Sequence, residues 1–425
     1  MKTIEQIAAE LQGYDPKALP AGQVNEFLAR LVEPITETES VALFQAFGRV
    51  LAEDVISPIS VPPHDNSAMD GFAFDGAALG AAPLTLRCLP GTAFAGKAWA
   101  EPVGPGECVK IMTGAIMPGG LDTVVPIELV RVEGDAVTVP PGVLKAGDNR
   151  RFAGEDLMAG QAALRRGQTI GPAALGLLAS LGLPTVRVVR RARVAYFSTG
   201  DEILSLGDAP REGAVYDSNR YTVFGLLTRL GVEVIDLGVV PDDPARLEAA
   251  FLDAAARADA VITSGGVSMG EADHTKALMK QLGDVAFWRI AMRPGRPMAV
   301  GRLNHTGRSA VLFGLPGNPV AVMVTFLAFV RPALQRLMGA EVQAQVLLQA
   351  HSGEAMRKKP GRTEYQRGTV TREADGTLVA RTTGNQGSGV LSSMVQANGL
   401  IVLRHDQGNV AVGDVVEVML FDGAI

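Results

Sequence analysis

Cysteine is almost missing from these 425 residues: Cys88 and Cys108 alone occur, which excludes a disulfide framework and a cysteine-rich metal site. A surplus of positive charge is missing too. The formal net charge is −6, which argues against a nucleic-acid binder, since no strongly basic face can be assumed. Long hydrophobic runs are also missing. The longest nearly apolar run, Val320–Val330, is too short to cross a bilayer and reads as a core helix. Met1–Glu10 carries acids among its apolar residues, unlike a signal peptide. A soluble, cytoplasmic protein is expected. What is present, 47% apolar and 20% charged residues, belongs to a globular chain long enough for two to four domains.

The most informative stretch is Asp259–Lys276. It opens as a short apolar, β-branched strand, Ala260–Thr263, of the kind found inside parallel sheets. It then breaks into Ser264-Gly265-Gly266-Val267-Ser268, where adjacent glycines allow positive φ and leave backbone N–H groups uncovered. Such a loop at the carboxyl end of a parallel strand suits phosphate. A bare Gly-Gly would read as a tight turn. The added Ser264, Asp273 and Lys276 favour an anion site.

In chain order, Thr3–Leu11, Val24–Leu31 and Val41–Glu53 read as amphipathic helices. His64–Asp70 then packs five polar residues into seven positions, more than a turn needs, so a functional loop is expected. Strands are expected at Leu84–Cys88, Glu107–Thr113 and Thr123–Glu128, with a hairpin over Leu129–Val139. Thr113-Gly114 ends one of these strands, where a hydroxyl and bare backbone can meet a ligand. Residues 57–148 thus form a small β domain, inserted into a helical domain made of residues 1–56 and 149–189. The second half of that domain holds Arg150, Arg151, Glu155 and Asp156, then the helix Pro172–Leu181.

Residues 190–340 alternate strands and helices, as in a doubly wound parallel α/β domain. Its strands Val194–Phe197, Val232–Leu237, Ala260–Thr263 and Ala310–Phe313 each end in a polar or Gly/Pro loop. Parallel strands put those ends on one rim, so Thr199, Asp201, Glu202, Asp242, Ser264, Asp273 and Asn318 should converge. Asp217 and Ser218 are cap candidates for the helix Asn219–Leu230, and Asp243 caps the helix that Pro244 begins. Arg289, Arg293 and Arg296 lie within eight residues stiffened by two prolines, and alone they would read as a solvated basic turn. Beside an amide-lined loop and carboxylates they point to an anionic ligand held partly by a divalent metal. Residues 341–425 read as a separate C-terminal β barrel or sandwich, with Arg362, Arg367 and the loop Gly384–Gly389 as further oxyanion donors.

Five motifs in order, Asp65–Ala73, Gly154-Glu155-Asp156, Ser198–Glu202, Thr263–Ser268 with Ala272–Lys276, and Gly314–Pro319, resemble one family. The chain is similar to the molybdopterin molybdenumtransferases, relatives of the gephyrin E domain. The resemblance implies an elongated multidomain α/β plus β chain acting as a homodimer. It implies hydrolysis of adenylylated molybdopterin, insertion of molybdenum from molybdate, and Mg²⁺ or a similar divalent cation. Partners would include the upstream adenylyltransferase and downstream molybdoenzymes or carriers. By position, functional residues fall on Asp70, Thr113, Asp156, Glu202, Asp242, Asp273, Arg289, Arg293, Pro316, Pro319, Arg367 and Ser388. Substrate contacts also fall on Ser264, Gly265, Gly266, Ser268, Asp217, Ser218, Asn219, Lys276 and Asn318. Glu202 and Asp242 are the expected metal holders, because carboxylates repel a pyrophosphate unless a cation intervenes.

Two departures stand out: Arg289, Arg293 and Arg296 replace lysines common among relatives, and His274 replaces a tyrosine. Two other readings are an adenylyltransferase, which would lack the flanking β domains, and a non-catalytic gephyrin-like scaffold, which would not need the full acid set.

Overall fold

The computed structural model describes residues 2–266, 273–342 and 344–421, the side chains of Asp273 and His274 excepted. Its centre is a six-stranded sheet in the order Glu233–Val240, Arg193–Thr199, Ala260–Ser264, Arg308–Leu315, Pro297–His305, Gly283–Arg289. The first four strands run parallel, whereas Pro297–His305 runs against both neighbours. The sheet is therefore mixed and not wholly parallel as expected. The cause is a tight hairpin at Thr306-Gly307, both at positive φ, which turns the chain straight back.

Both faces of this sheet are buried. Val194, Tyr196, Ala260 and Ile262 belong to one core, and the intervening Ala195, Phe197 and Val261 belong to another. The helices Pro244–Arg257 and Asp273–Leu282 cover the second face. The first face carries the helix Ser218–Leu230 and the long helix Pro319–Leu337. The latter is long and apolar enough to cross a membrane, longer than the run read from sequence, but 78% of its most apolar window is buried inside the protein. It is a core helix.

The N-terminal helices Ile4–Ala9 and Ala21–Leu31 share this first core, which also takes in Val50 and Val189. The Phe27 ring meets Trp288 edge-on at 4.9 Å, and Trp288 Nε1 donates to Tyr14 OH at 2.8 Å. The buried Arg302 guanidinium donates to the carbonyls of Lys2 and Leu31, and Ile4 N donates to Asp284 Oδ2 at 2.8 Å.

The helix expected over Val41–Glu53 does not form. Thr38–Ala42 is a strand paired with Thr185–Val189, and only Leu43–Ala46 is helical. Gly48 sits at positive φ, and cross-strand pairing outweighs a helical period this short. Phe44 is left fully exposed. This small body, with Ile170, Leu178 and Val186 in its core, carries the inserted β domain. The inserted sheet includes Gly71–Phe74, where the sequence shows no strand period because all four residues are buried. A side chain on Gly71 would collide with Val125 O. At the other end, Leu348–Ser352, Thr363–Arg372, Leu378–Thr382, Gly399–Leu403 and Val415–Leu420 close into a five-stranded barrel.

If the aromatic contact docks the N-terminal helices, Phe27→Ala should destabilise the chain by about 3–5 kcal/mol. Phe44→Ala should stay within about 0.5 kcal/mol. Equilibrium urea unfolding followed by tryptophan fluorescence separates the two outcomes.

Candidate active site

A cleft of about 820 Å³ opens at the carboxyl ends of the parallel strands, where the barrel meets the α/β body. Thr199, Gly200, Glu202, Asp242, Gly265, Gly266, Arg293, Arg296, Pro316, Asn318, Gln386 and Ser388 all line it. Gly265 and Gly266 stand at φ +91° and +66°, and a Cβ on Gly265 would press against Thr199 O, so only glycine lets this loop lie flat. Thr199 Oγ1 is buried there without a hydrogen-bond partner among the described residues. Ser264 lies beneath the loop: its hydroxyl shares a buried network with Tyr196 OH at 2.6 Å and Ser198 Oγ at 3.3 Å. Its place is support for the loop.

One end of the cleft is acidic. Asp242 N donates to Asp201 Oδ1 at 3.2 Å. Partial burial, then the Asp201 and Glu202 carboxylates, push the Asp242 carboxyl above the usual carboxylate range. Among the described residues no three His, Cys, Asp or Glu side chains form a complete metal-binding set. Mutually repelling carboxylates short of a full set fit a divalent cation that completes its shell with water and ligand phosphates.

The other end is cationic. Met292–Arg293 pairs with Thr363–Glu364 of the barrel, which brings Arg293 to the barrel wall. Burial, then the Arg293 charge, lowers Arg367 to about 10. Arg367 is not solvent-facing as a loop donor would be: it is 1% exposed, with Nε donating to Ser393 Oγ at 3.0 Å and Nη2 to Gly387 O at 2.9 Å. Ser388 O accepts from Val320 N at 3.1 Å, pinning the barrel loop to the first turn that Pro319 begins. Asn318 stands at the cap position yet makes no capping bond. Its amide remains available to the cleft.

Not every expected residue is seen to line the cleft. Arg289 and Lys276 are not among the cleft-lining residues, Ser268 is outside the described residues, and Asp273 is described only as the start of its helix. Asp217 Oδ1 caps Arg220 N at 3.0 Å, next to Ser218, and Asn219 Nδ2 donates to Gly317 O at 2.7 Å. Asp217 Oδ2 and Asn219 Oδ1 are buried without partners among the described residues. Thr275, Gly295 and Ala321 line the cleft but escaped the sequence reading. The signal for Gly295 was its place between Pro294 and Arg296: at φ +93° it packs against Thr325, where a Cβ would approach to 2.6 Å.

Asp70 and Thr113 on the inserted domain, and Asp156 in the segment that follows it, do not line this cleft. Asp70 Oδ1 accepts from both Thr113 N and Thr113 Oγ1 at 2.7 Å, which holds its carboxyl below the usual range. Asp65 pairs with Arg150 and accepts from Ala153 N at 2.7 Å, while Asp156 N donates to Val61 O, so three loops meet here.

Residues 20–182 match the description "MoeA N-terminal region (domain I and II)", 195–336 "Probable molybdopterin binding domain" and 349–421 "MoeA C-terminal region (domain IV)". A molybdopterin molybdenumtransferase of Haemophilus influenzae is 42% identical over 388 residues, 91% of this chain and 95% of that protein. The chain belongs to the molybdopterin molybdenumtransferase family. The Bacillus subtilis molybdopterin molybdenumtransferase is 33% identical, covering 90% of each chain. Gephyrin of Dictyostelium discoideum is 32% identical, covering 90% of this chain and 59% of that protein. The solved molybdopterin biosynthesis moeA protein of Pyrococcus horikoshii superposes with a TM-score of 0.80 at 28% identity, over 95% of this chain and 100% of that one. These matches to a molybdopterin molybdenumtransferase run through both flanking regions, where the adenylyltransferase reading has no counterpart.

The raised Asp242 carboxyl has a consequence for stability. Its penalty is absent where folded and unfolded states are both protonated, and grows as pH rises through the raised folded value. Asp242→Asn should therefore raise the melting temperature at pH 7 without divalent ions, and the gain should vanish below the usual carboxylate range. Added Mg²⁺ should raise the wild-type midpoint more than that of the variant. Calorimetry at the two pH values checks both.

Proposed function

We propose that this chain hydrolyses adenylylated molybdopterin and inserts molybdenum from molybdate into the released dithiolene, giving molybdenum cofactor and AMP. The observation that carries this reading is a single cleft with carboxylates at one end and guanidinium groups at the other. A phosphoanhydride and a second oxyanion need both kinds of end. The Gly265-Gly266 loop would take the phosphate side of the pterin, and Thr199 Oγ1 is a buried group ready for a ligand partner. Glu202 and Asp242, with Asp201 beside them, would hold Mg²⁺, directly or through water, and bound there the ion supplies charge neutralisation of the phosphates. Water adds to the adenylate phosphorus, the bond to the pterin phosphate breaks, and AMP leaves. Molybdate is held by Arg293, Arg296 and Ser388. Two dithiolene thiols then displace one of its oxygens as water.

A homodimer accounts for the second locus. Asp70, Thr113 and Asp156 would complete the cleft of a partner protomer. Large exposed apolar side chains support this: Met69, Phe152 and Met158 near that locus, and Leu206, Val215, Tyr221 and Phe224 on the α/β body. Cys88 and Cys108 face each other across adjacent strands as free thiols, in keeping with a cytoplasmic setting.

Glu202→Gln or Asp242→Asn should slow AMP release by roughly a hundredfold or more. Wild-type release with normal Mg²⁺ dependence in both variants would end the metal-site reading. For the shared site, mixing inactive Asp70→Ala and Asp242→Ala protomers should restore partial turnover. No recovery after confirmed subunit exchange would count against it.

A further inference from the structure

A second cavity, of about 170 Å³, shares no lining residue with the cleft. Gly48 and Thr169 of the small body border it, with Arg229 from the last turn of Ser218–Leu230 and Arg331 and Gln335 from Pro319–Leu337. The long helix makes one π-helical turn, Phe326–Val330, just before Arg331. Every residue from Val320 to Val330 is buried, and the extra residue in that turn advances the helix face by about 100°. Arg331 and Gln335 thus emerge at the cavity while Leu334 and Leu337 return to the core. Arg331 stays half-buried, and burial, then the Arg229 charge, push its guanidinium below the usual arginine range. Arg191 adds a third guanidinium beyond Gly48: it donates to Gly231 O, and a Cβ on Gly231 would approach both Arg191 and Gly48 O. Glu39, the acid of that quarter, is paired with Arg49. Glu341 borders neighbouring grooves, one of them shared with Arg331, and not this cavity. Among the described residues, then, the cavity is lined by two guanidinium groups and no carboxylate.

We propose that this cavity is a second anion site, which takes a free tetrahedral dianion of the sulfate or phosphate type between Arg229 and Arg331. Like charges gathered beside apolar walls, here Leu226, Phe326 and Met338, repel one another until an anion lies between them. The forked donors of the two arginines, the Thr169 hydroxyl and the Gln335 amide suit an ion with oxygens on all sides. Volume decides the class of ligand: 170 Å³ admits a compact ion, whereas a nucleotide needs a space like the 820 Å³ cleft. Bound there, the ion ties the end of Ser218–Leu230 to the far half of the core helix and stabilises the folded chain by mass action. The site stands independently of the chemistry proposed for the cleft.

The melting temperature of the full-length chain is followed against sulfate at constant ionic strength, with chloride as the balancing salt. Exclusion of sulfate from the protein surface stabilises any fold without saturating, so only a saturable rise reports a site. Because the cleft also offers arginines, the titration is made in the Arg293→Ala, Arg296→Ala double variant. A saturable rise should remain there. Adding Arg229→Gln, an exposed change that leaves the core intact, should raise the half-saturation concentration roughly tenfold or more. Arg229→Lys keeps the charge without the fork and should fall between the two. No saturable rise in the double variant, or an unchanged half-saturation point once Arg229→Gln is added, would overturn the proposal. Crystals of the double variant soaked in selenate, a sulfate analogue, locate the ion by anomalous scattering. Density between Arg229 and Arg331 is expected, and its absence at a selenate concentration that saturates the melting response would overturn the proposal equally.

Discussion

Everything at the site depends on a sheet that is buried on both faces. Alternate residues of Arg193–Thr199 serve two different cores, so the strand cannot shift by one residue without exposing one set and burying the wrong one. That register fixes where the strand ends. Ser198, Ser264 and Leu315 come out level, and the loops that follow lie on the rim. The polar groups of the cleft are thus placed by apolar packing some distance away, while the loops themselves contribute little to stability.

Charge is then sorted along that rim by which element supplies it. The acids follow the first strands of the α/β body, and the arginines arrive on the segment between Gly283–Arg289 and Pro297–His305, which pairs with the barrel. Like charges gather at each end, which is unfavourable in an empty cleft. The arrangement is tolerated because it is partly open to water, and it becomes favourable when a ligand supplies the opposite charges.

Much of this was legible in the sequence, for physical reasons. Buried parallel strands ending in Gly, Asp and Ser announce a ligand rim, and Glu202, Asp242, Gly265, Gly266, Arg293, Asn318 and Ser388 do meet there. Arg367 shows what was hidden. Its residue type fits an oxyanion contact, but whether a guanidinium faces a ligand or its own loop is decided by a tertiary fold with no local signature. The same limit applies to Val41–Glu53, where a short apolar period suits a helix until a partner strand more than a hundred residues away is available. Pro297–His305 reversed direction through two residues, Thr306-Gly307, that an alternation rule passes over.

The bond from Val320 N to Ser388 O, at 3.1 Å, joins the start of the central helix to a loop made nearly seventy residues later. The barrel loop therefore adds Gln386 and Ser388 to a cleft whose arginines, Arg293 and Arg296, and whose acids belong to the α/β body. A nascent chain whose α/β body has already folded holds the arginines and the glycine loop but lacks the wall that Gln386 and Ser388 supply. Competence to act is in this sense a late property of synthesis, acquired when the barrel closes and reaches back.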